Sequence, residues 1–268
     1  MKLAVDIGGT KVLMAVFDNN QIIDQYKFET PKQYTEFLDE FKKSLINLKN
    51  YSIDIAAVAI PELINRKTFE LIGGGNLHWQ NVNIVTDLSN ILNCQILLEN
   101  DANLAALSEA SYLKDRFNRV LYLTISTGIG GGLVINQKIS QDNLNFEPGL
   151  MKLNHHNRLI RWESFASGRA IVNQYHQLAK DINDPIIWQE IANNILSGLM
   201  IIIPLIQPEV IVFGGSVGTY FDQYQEFLKN GLNKNIESFL LKPIILKAIH
   251  PEEAVVYGCI ELIDRISN

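Results

Sequence analysis

Two segments of strand, glycine turn and returning strand constrain this chain more than anything else in it. The first opens the sequence, where Asp6-Ile7-Gly8-Gly9-Thr10-Lys11 lies between the apolar runs Leu3–Val5 and Val12–Phe17. Gly8 and Gly9 carry no Cβ, so the backbone there is free to take positive φ and turn its N–H groups toward a phosphate. Asp6 can hold a hydrated Mg²⁺, and the Thr10 hydroxyl and Lys11 ammonium can meet phosphate oxygens. A plain tight hairpin satisfies the same hexamer, so the reading needs company. It comes at Val120–Ile125, a strand that runs into the turn Ser126-Thr127-Gly128-Ile129-Gly130-Gly131-Gly132 and back out through Leu133–Ile135. Four glycines in seven residues are costly to keep for turning alone. Two such cradles point to a duplicated fold with nucleotide phosphates held between its halves. In a third turn, Val210–Phe213 ends in Gly214-Gly215-Ser216-Val217-Gly218 before a helix, a setting that suits the base and ribose of a nucleotide.

The rest of the chain alternates short apolar strands with amphipathic helices, the pattern of an α/β protein. Strands are expected at Leu3–Asp6, Val12–Phe17, Ile22–Phe28, Ile55–Ile60, Gln95–Leu98, Val120–Ile125, Gly132–Ile135, Val210–Phe213 and Ile244–Lys247. Helices are expected at Tyr34–Leu48, Asp87–Leu92, Ala102–Leu113, Ser164–Leu178, Pro185–Pro204, Tyr220–Asn230 and Glu252–Ile266. The first three strands form a meander, which argues against a purely parallel dinucleotide-binding sheet. Between the first two glycine turns, the strand Gln95–Leu98 leads into Glu99-Asn100-Asp101-Ala102, where Asn100 or Asp101 caps the next helix. Asp101 also sits where α/β sheets place chemistry, and a helix dipole helps keep it ionised as a general base toward a hydroxyl.

Composition excludes several alternatives. Against 29 acidic residues stand 23 basic ones, a net charge of −6, and no basic run tracks a phosphate backbone, so nucleic acid is not an expected partner. The N-terminus lacks a signal-peptide pattern, and no uninterrupted apolar stretch reaches the ~18 residues of a spanning helix. Cys94 and Cys259 lie singly in apolar sequence, as small core residues of a reducing compartment do. The expected location is the cytoplasm.

With these motifs assembled, the sequence resembles the ROK family of sugar kinases and sugar-responsive repressors, within the actin, hexokinase and heat-shock ATPase superfamily. DIGGTK, NDANLAA, STGIGGG, Glu147-Pro148-Gly149, WESFASGRA at 162–170, VIVFGGS at 210–216 and the closing Glu253-Ala254…Tyr257-Gly258 carry the likeness, in order along nearly the whole chain. The resemblance implies a two-lobed actin-like (ribonuclease H-like) α/β fold with duplicated mixed sheets and an interlobe cleft. It implies a small lobe of residues 1–112 with 252–268, and a large lobe of 113–251. The implied reaction is ATP- and Mg²⁺-dependent phosphorylation of a hexose or amino sugar, with glucose as the leading acceptor.

Carried over by position, Asp6, Gly8, Gly9, Thr10 and Lys11 resemble the first phosphate motif, with Asp6 reaching Mg²⁺ through water. Thr127, Gly128, Gly130 and Gly131 resemble the second, and Gly214 and Gly215 the adenosine site. Asp101 matches the catalytic base. Asn100, Glu147 and Glu163 match groups that grip sugar hydroxyls, and Gly73 to Asn76 match a pocket wall in which Asn76 touches sugar. The family's Gly-His and cysteine-rich zinc loop are absent: Leu150 follows Gly149, and residues 151–161 hold no cysteine. His155 and His156 read as loop residues, and no structural zinc is expected. Losing the histidine that reaches the sugar predicts weaker or altered sugar selection. The alternative is a catalytically weak sugar or nucleotide sensor without a DNA-binding domain, since the first phosphate motif begins at residue 6. Polyphosphate is a second candidate donor, and a homodimer is the expected assembly.

Overall fold

The computed structural model describes residues 1–48, 51–73, 77, 79–143, 145–251 and 253–267. The chain forms two compact units, Met1–Ser108 with Val255–Asn268, and Glu109–Ala254.

The first unit runs β1 (Lys2–Ile7), β2 (Lys11–Asp18), β3 (Gln21–Glu29), α1 (Tyr34–Asn47), β4 (Ile55–Ile60), β5 (Leu63–Ile64), β6 (Leu71–Gly73), α2 (Ile84–Leu92), β7 (Gln95–Asn100) and α3 (Asp101–Tyr112). Its main sheet has the order β3-β2-β1-β4-β7. The expected meander of β1, β2 and β3 is antiparallel, and β4 and β7 join in parallel. Both faces are buried, and alternation sorts the side chains between them. Leu3, Val5, Ile7, Val58 and Ile60 pack against Phe37 and Phe41 of α1 and Ile84 and Leu88 of α2. Ala4, Ala15, Ala57 and Ala59 point the other way, where small side chains let Leu104 of α3 and Val256, Cys259 and Ile263 come close. The last three residues lie on α9 (Ala254–Ser267), which returns to this unit from the far end of the chain. Gly258 is what admits α9, because a Cβ there would sit 1.9 Å from the Leu104 carbonyl oxygen.

The second unit runs β8 (Arg119–Ile125), β9 (Ile129–Ile135), β10 (Lys138–Ile139), β11 (Lys152–His155), β12 (Arg158–Arg161), α4 (Glu163–Ala166), α5 (Gly168–Tyr175), α6 (Pro185–Ile206), β13 (Val210–Gly214), α7 (Gly215–Gly218), α8 (Phe221–Asn235) and β14 (Ile244–Lys247). Its sheet order, β10-β9-β8-β13-β14, repeats the first: an antiparallel meander, then two parallel strands. The repetition extends to a detail. Asn19-Asn20 after β2 and Asn136-Gln137 after β9 are both two-residue turns with positive φ at each position, +46° and +62° against +48° and +65°. The sheet is therefore duplicated.

Four expectations change. The helix expected at Ser164–Leu178 is two helices, broken at Ser167, whose extended backbone and hydroxyl cap α5 through the Ala170 N–H. His155 and His156 belong to the β11–β12 hairpin, with His156 in its turn at φ +49° and the His155 ring stacked on Phe165 at 4.1 Å. Gly215–Gly218 is itself a turn of helix ahead of α8, so the third glycine turn is shorter than its sequence suggests. Finally, α6 is long and apolar enough to cross a membrane, although polar residues such as Glu190 and Asn194 interrupt its apolar runs. One face of α6, with Trp188, Ile191, Ile195, Leu199 and Ile202, fills the core of its own unit.

Candidate functional site

Strand alternation places Asp6 on the small-residue face of the first sheet, opposite Ala59 on β4. β7 ends at Asn100 and α3 starts at Asp101, so the second carboxylate stands at the carboxyl edge of the same sheet. Asn100 is the cap: its Oδ1 accepts from the N–H groups of Ala102 and Asn103 at 3.0 and 3.2 Å. Asp101 Oδ1 accepts from the Ala102 N–H at 2.7 Å. Burial, reinforced by the Asp101 carboxylate, pushes Asp6 up to about 7. Asp101 is also raised, by burial first and by Glu62 in lesser part, against the lowering pull of backbone N–H groups. Desolvation thus outweighs the backbone N–H groups of the helix start in setting the direction of the Asp101 shift.

Immediately past Asp6, the Gly8–Thr10 turn is closed by the Gly8 N–H donating to the Lys11 carbonyl at 2.9 Å. Neither Gly8 nor Gly9 takes positive φ, contrary to the sequence reading. Gly8 is needed for closeness instead, since a Cβ would lie 3.0 Å from the Lys11 carbonyl oxygen. Thr30 pins the turn: its hydroxyl donates to the Gly8 carbonyl at 2.6 Å and its N–H to the Thr10 carbonyl at 3.0 Å. Gly9, Thr10 and Lys11 are left exposed.

In the second unit the corresponding turn is only Ser126–Gly128. Gly130, Gly131 and Gly132 are strand residues of β9, paired with Thr124, Leu123 and Tyr122. Their bareness serves packing. A Cβ on Gly131 would meet the Phe146 ring at 2.8 Å and Pro148 at 2.9 Å, and a Cβ on Gly149 would meet the Ile129 carbonyl oxygen at 2.3 Å. The loop bearing Glu147 is thus seated directly on β9. Glu163 opens α4 behind the fully buried Trp162, whose indole N–H donates to the Asn194 carbonyl and whose N–H donates to Met151. Its carboxylate presses on both bare positions, 2.7 Å from where a Gly128 Cβ would be and 3.2 Å from that of Gly149. Glu163 therefore meets both the Thr127-Gly128 turn and the loop that carries Glu147.

Gly215 at φ +79° backs onto the Ile125 carbonyl, with a hypothetical Cβ at 2.7 Å, and Gly214 leaves room for the Tyr122 hydroxyl. Beside them opens a cavity of about 470 Å³ lined by Thr127, Asn173, Leu178, Ser216, Thr219 and Tyr220 among others. Its floor is tied to the turn by the Gly168 N–H, which donates to the Ser126 carbonyl at 2.6 Å. Asn76 lies outside the described residues, and Gly73 ends β6 at φ +98°.

The model of the ROK family matches residues 2–266. The chain belongs to the ROK family. An N-acetyl-D-glucosamine kinase of Mannheimia succiniciproducens is 30% identical, with 98% of this chain and 99% of that protein covered. A glucokinase of Streptomyces coelicolor is 26% identical over 67% of this chain and 60% of that protein. In structure, a ROK family glucokinase from Streptomyces griseus in complex with glucose and AMPPNP superposes with a TM-score of 0.83 at 20% identity, covering 97% and 98% of the two chains. The duplicated mixed sheet is accordingly the actin-like ATPase fold of that family.

Three contributors to this ROK-family site escaped the sequence reading. Thr30 lies twenty residues past the turn it pins, and nothing local marks it. Glu62, 2% exposed, accepts the Leu77 N–H at 2.7 Å and adds negative charge near Asp101. Glu99 accepts the Asn100 N–H at 2.8 Å, and its place beside the Asn-Asp pair was the available clue.

Proposed function

We propose that this ROK-family chain is a sugar kinase that transfers the γ-phosphoryl group of ATP to a hydroxyl of a hexose or amino sugar. The observation that carries the reading is the pair of carboxyl groups, Asp6 and Asp101, at the sheet edge beside an exposed Gly-Gly-Thr-Lys turn. In this reading Asp101 takes the proton of the attacking hydroxyl, and its raised affinity for a proton suits that task. Asn100, Glu147 and Glu163 accept or share hydrogen bonds with sugar hydroxyls; a carboxylate accepts without competing to donate. Thr10, Lys11 and Thr127 serve the phosphates, and the cavity beside Gly214 and Gly215 takes the nucleoside.

Asp6 also fits Mg²⁺, reached through retained water. That ion binds through one or two carboxylates plus phosphate oxygens and retained water, so a cage of three protein ligands is not required. The proton affinity of Asp6 is raised by burial first and by the Asp101 carboxylate second, and a cation would favour its ionised form against both. When bound, Mg²⁺ neutralises charge on the transferring phosphoryl group.

Among acceptors, N-acetyl-D-glucosamine comes first and glucose second. The relatives covered end to end at 28–30% identity are N-acetyl-D-glucosamine kinases, whereas the glucokinase match spans two thirds of the chain. A coupled ADP-release assay over N-acetyl-D-glucosamine, N-acetylmannosamine, glucose, mannose and fructose tests the reading, with polyphosphate as alternative donor. Turnover that Asp101→Ala abolishes supports it; no turnover with any sugar supports the sensor instead. A cytoplasmic homodimer completes the proposal: two free cysteines suit a reducing compartment. Ile186, Ile201 and Leu205 lie exposed on α6, and sedimentation tests whether they pair.

A further inference from the structure

The geometry points to Arg66, acting through Glu99, as the positioning residue that sets Asn100 and Asp101 for the acceptor hydroxyl. The inference rests on the kinase reading above and adds a residue to it. The Arg66 guanidinium grips Glu99 with both ends of its fork, Nη1 to Oε2 at 2.7 Å and Nη2 to Oε1 at 2.6 Å. The same Oε1 accepts the Asn100 N–H at 2.8 Å and the Asn103 side-chain amide at 3.0 Å. Asn100 in turn caps α3, whose first residue is Asp101. One carboxylate therefore fixes the junction from which both acceptor-facing groups project. A bidentate arginine gives such a junction an orientation that a point charge does not.

The anchor for Arg66 is itself built stiffly. Asn65 closes the turn between β5 and β6, with its N–H donating to the Glu70 carbonyl at 2.9 Å and its Oδ1 accepting the Lys67 N–H at 3.0 Å. The Asn83 side chain ties Thr68 to the start of α2 at 3.1 Å. On the same connection, Glu62 holds the Leu77 N–H, directly after the Gly73–Asn76 stretch. A single segment, residues 61–70, thus supports both the helix start and the strand exit next to it. Arg66 Nε is buried with no hydrogen-bond partner among the described residues. A buried ion pair contributes little net stability of its own.

Steady-state kinetics with N-acetyl-D-glucosamine and ATP, alongside thermal melts, test the inference on the full chain with Arg66→Met, Arg66→Lys, Glu99→Gln and the double variant Arg66→Met/Glu99→Gln. Misplacing the base should lower kcat/KM for the sugar on the order of 10²-fold and leave the KM for ATP within about twofold. Arg66→Lys should recover part of the loss. The double variant buries no lone charge, so its melting temperature should return toward wild type while kcat/KM for the sugar stays low. Recovery of kcat/KM in the double variant, or an equal rise in the KM for ATP, would overturn the assignment. If Arg66→Met alone does not fold, the double variant decides. Wild-type protein inactive on every sugar removes the kinase reading and this inference together; active wild type with unaffected variants removes only the inference.

Discussion

The two glycine turns sit at matching places in matching sheets, yet they are built on different chemistry. In the first unit the turn follows an aspartate that feels the Asp101 carboxylate, which in turn feels Glu62, and it leaves Thr10 and Lys11 exposed. In the second unit the turn itself carries no charged side chain, only hydroxyls at 124, 126 and 127, backbone amides and three glycines inside a strand, and the carboxylate that meets it, Glu163, comes from α4. The first hairpin collects charge and tolerates its desolvation. The second removes side chains so that a loop and a carboxylate can pack against bare backbone. Duplication supplied one scaffold twice, and the difference shows a frame kept while its contents diverged.

Five substitutions probe that contrast. The largest effect belongs to the acidic unit. Asp101→Asn should reduce kcat by roughly 10²- to 10⁴-fold, the usual share of a general base, while raising the melting temperature. The sign follows from burial. The folded-state proton affinity of Asp101 is raised above its ordinary value of 3.8, so stability is lost progressively as pH rises from about 3.8 through the raised value, above which the loss is complete. The stabilisation by asparagine should be largest at pH 8 to 9 and shrink as pH falls toward 4, which melts of both proteins across pH will read.

Next in size, Gly149→Ala and Gly131→Ala should each cost about 1–3 kcal/mol, because backbone, ring and proline atoms fill the space of the new methyl group. Denaturant titration measures the loss, and KM for the sugar should rise with it. Ser167→Ala removes the cap of α5 and should cost about 1 kcal/mol. Smallest is Gly8→Ala in the charged turn. Its φ is ordinary and its one close neighbour is a carbonyl oxygen at 3.0 Å, so the cost should stay below about 1 kcal/mol. A Gly8 variant less stable than the Gly131 variant would reverse the comparison.

These contrasts also explain what the sequence could show. The strands flanking both turns were legible because their apolar runs stop at glycine and polar residues, and β4 and β14 have the expected ends. Gly130–Gly132 was read as turn because glycine carries no strand preference of its own. Only Phe146 and Pro148, arriving from elsewhere in the sequence, give it a reason to be strand. The polar β11–β12 hairpin and the break at Ser167 were missed alike, since KLNH and RLIR lack an apolar face and Ser167 lies within an otherwise helical pattern. Within the candidate site, the motif residues were readable in place. Thr30 and Arg66 were not, because their partners lie 22 and 33 positions away.

The contact of Gly258 with Leu104 sets an order of events during synthesis. The sheet of the first unit is translated early, but the helix that covers its alanine face emerges only after the second unit has been made. The intervening second unit, Glu109–Ala254, is continuous and can complete its core while that face still waits for its cover. While the second unit is being made, the nascent chain therefore exposes an apolar surface that the helix after Ala254 later covers. A premature stop between Ala254 and Ile263 should accordingly send the chain to chaperones and proteases, although its second unit is complete.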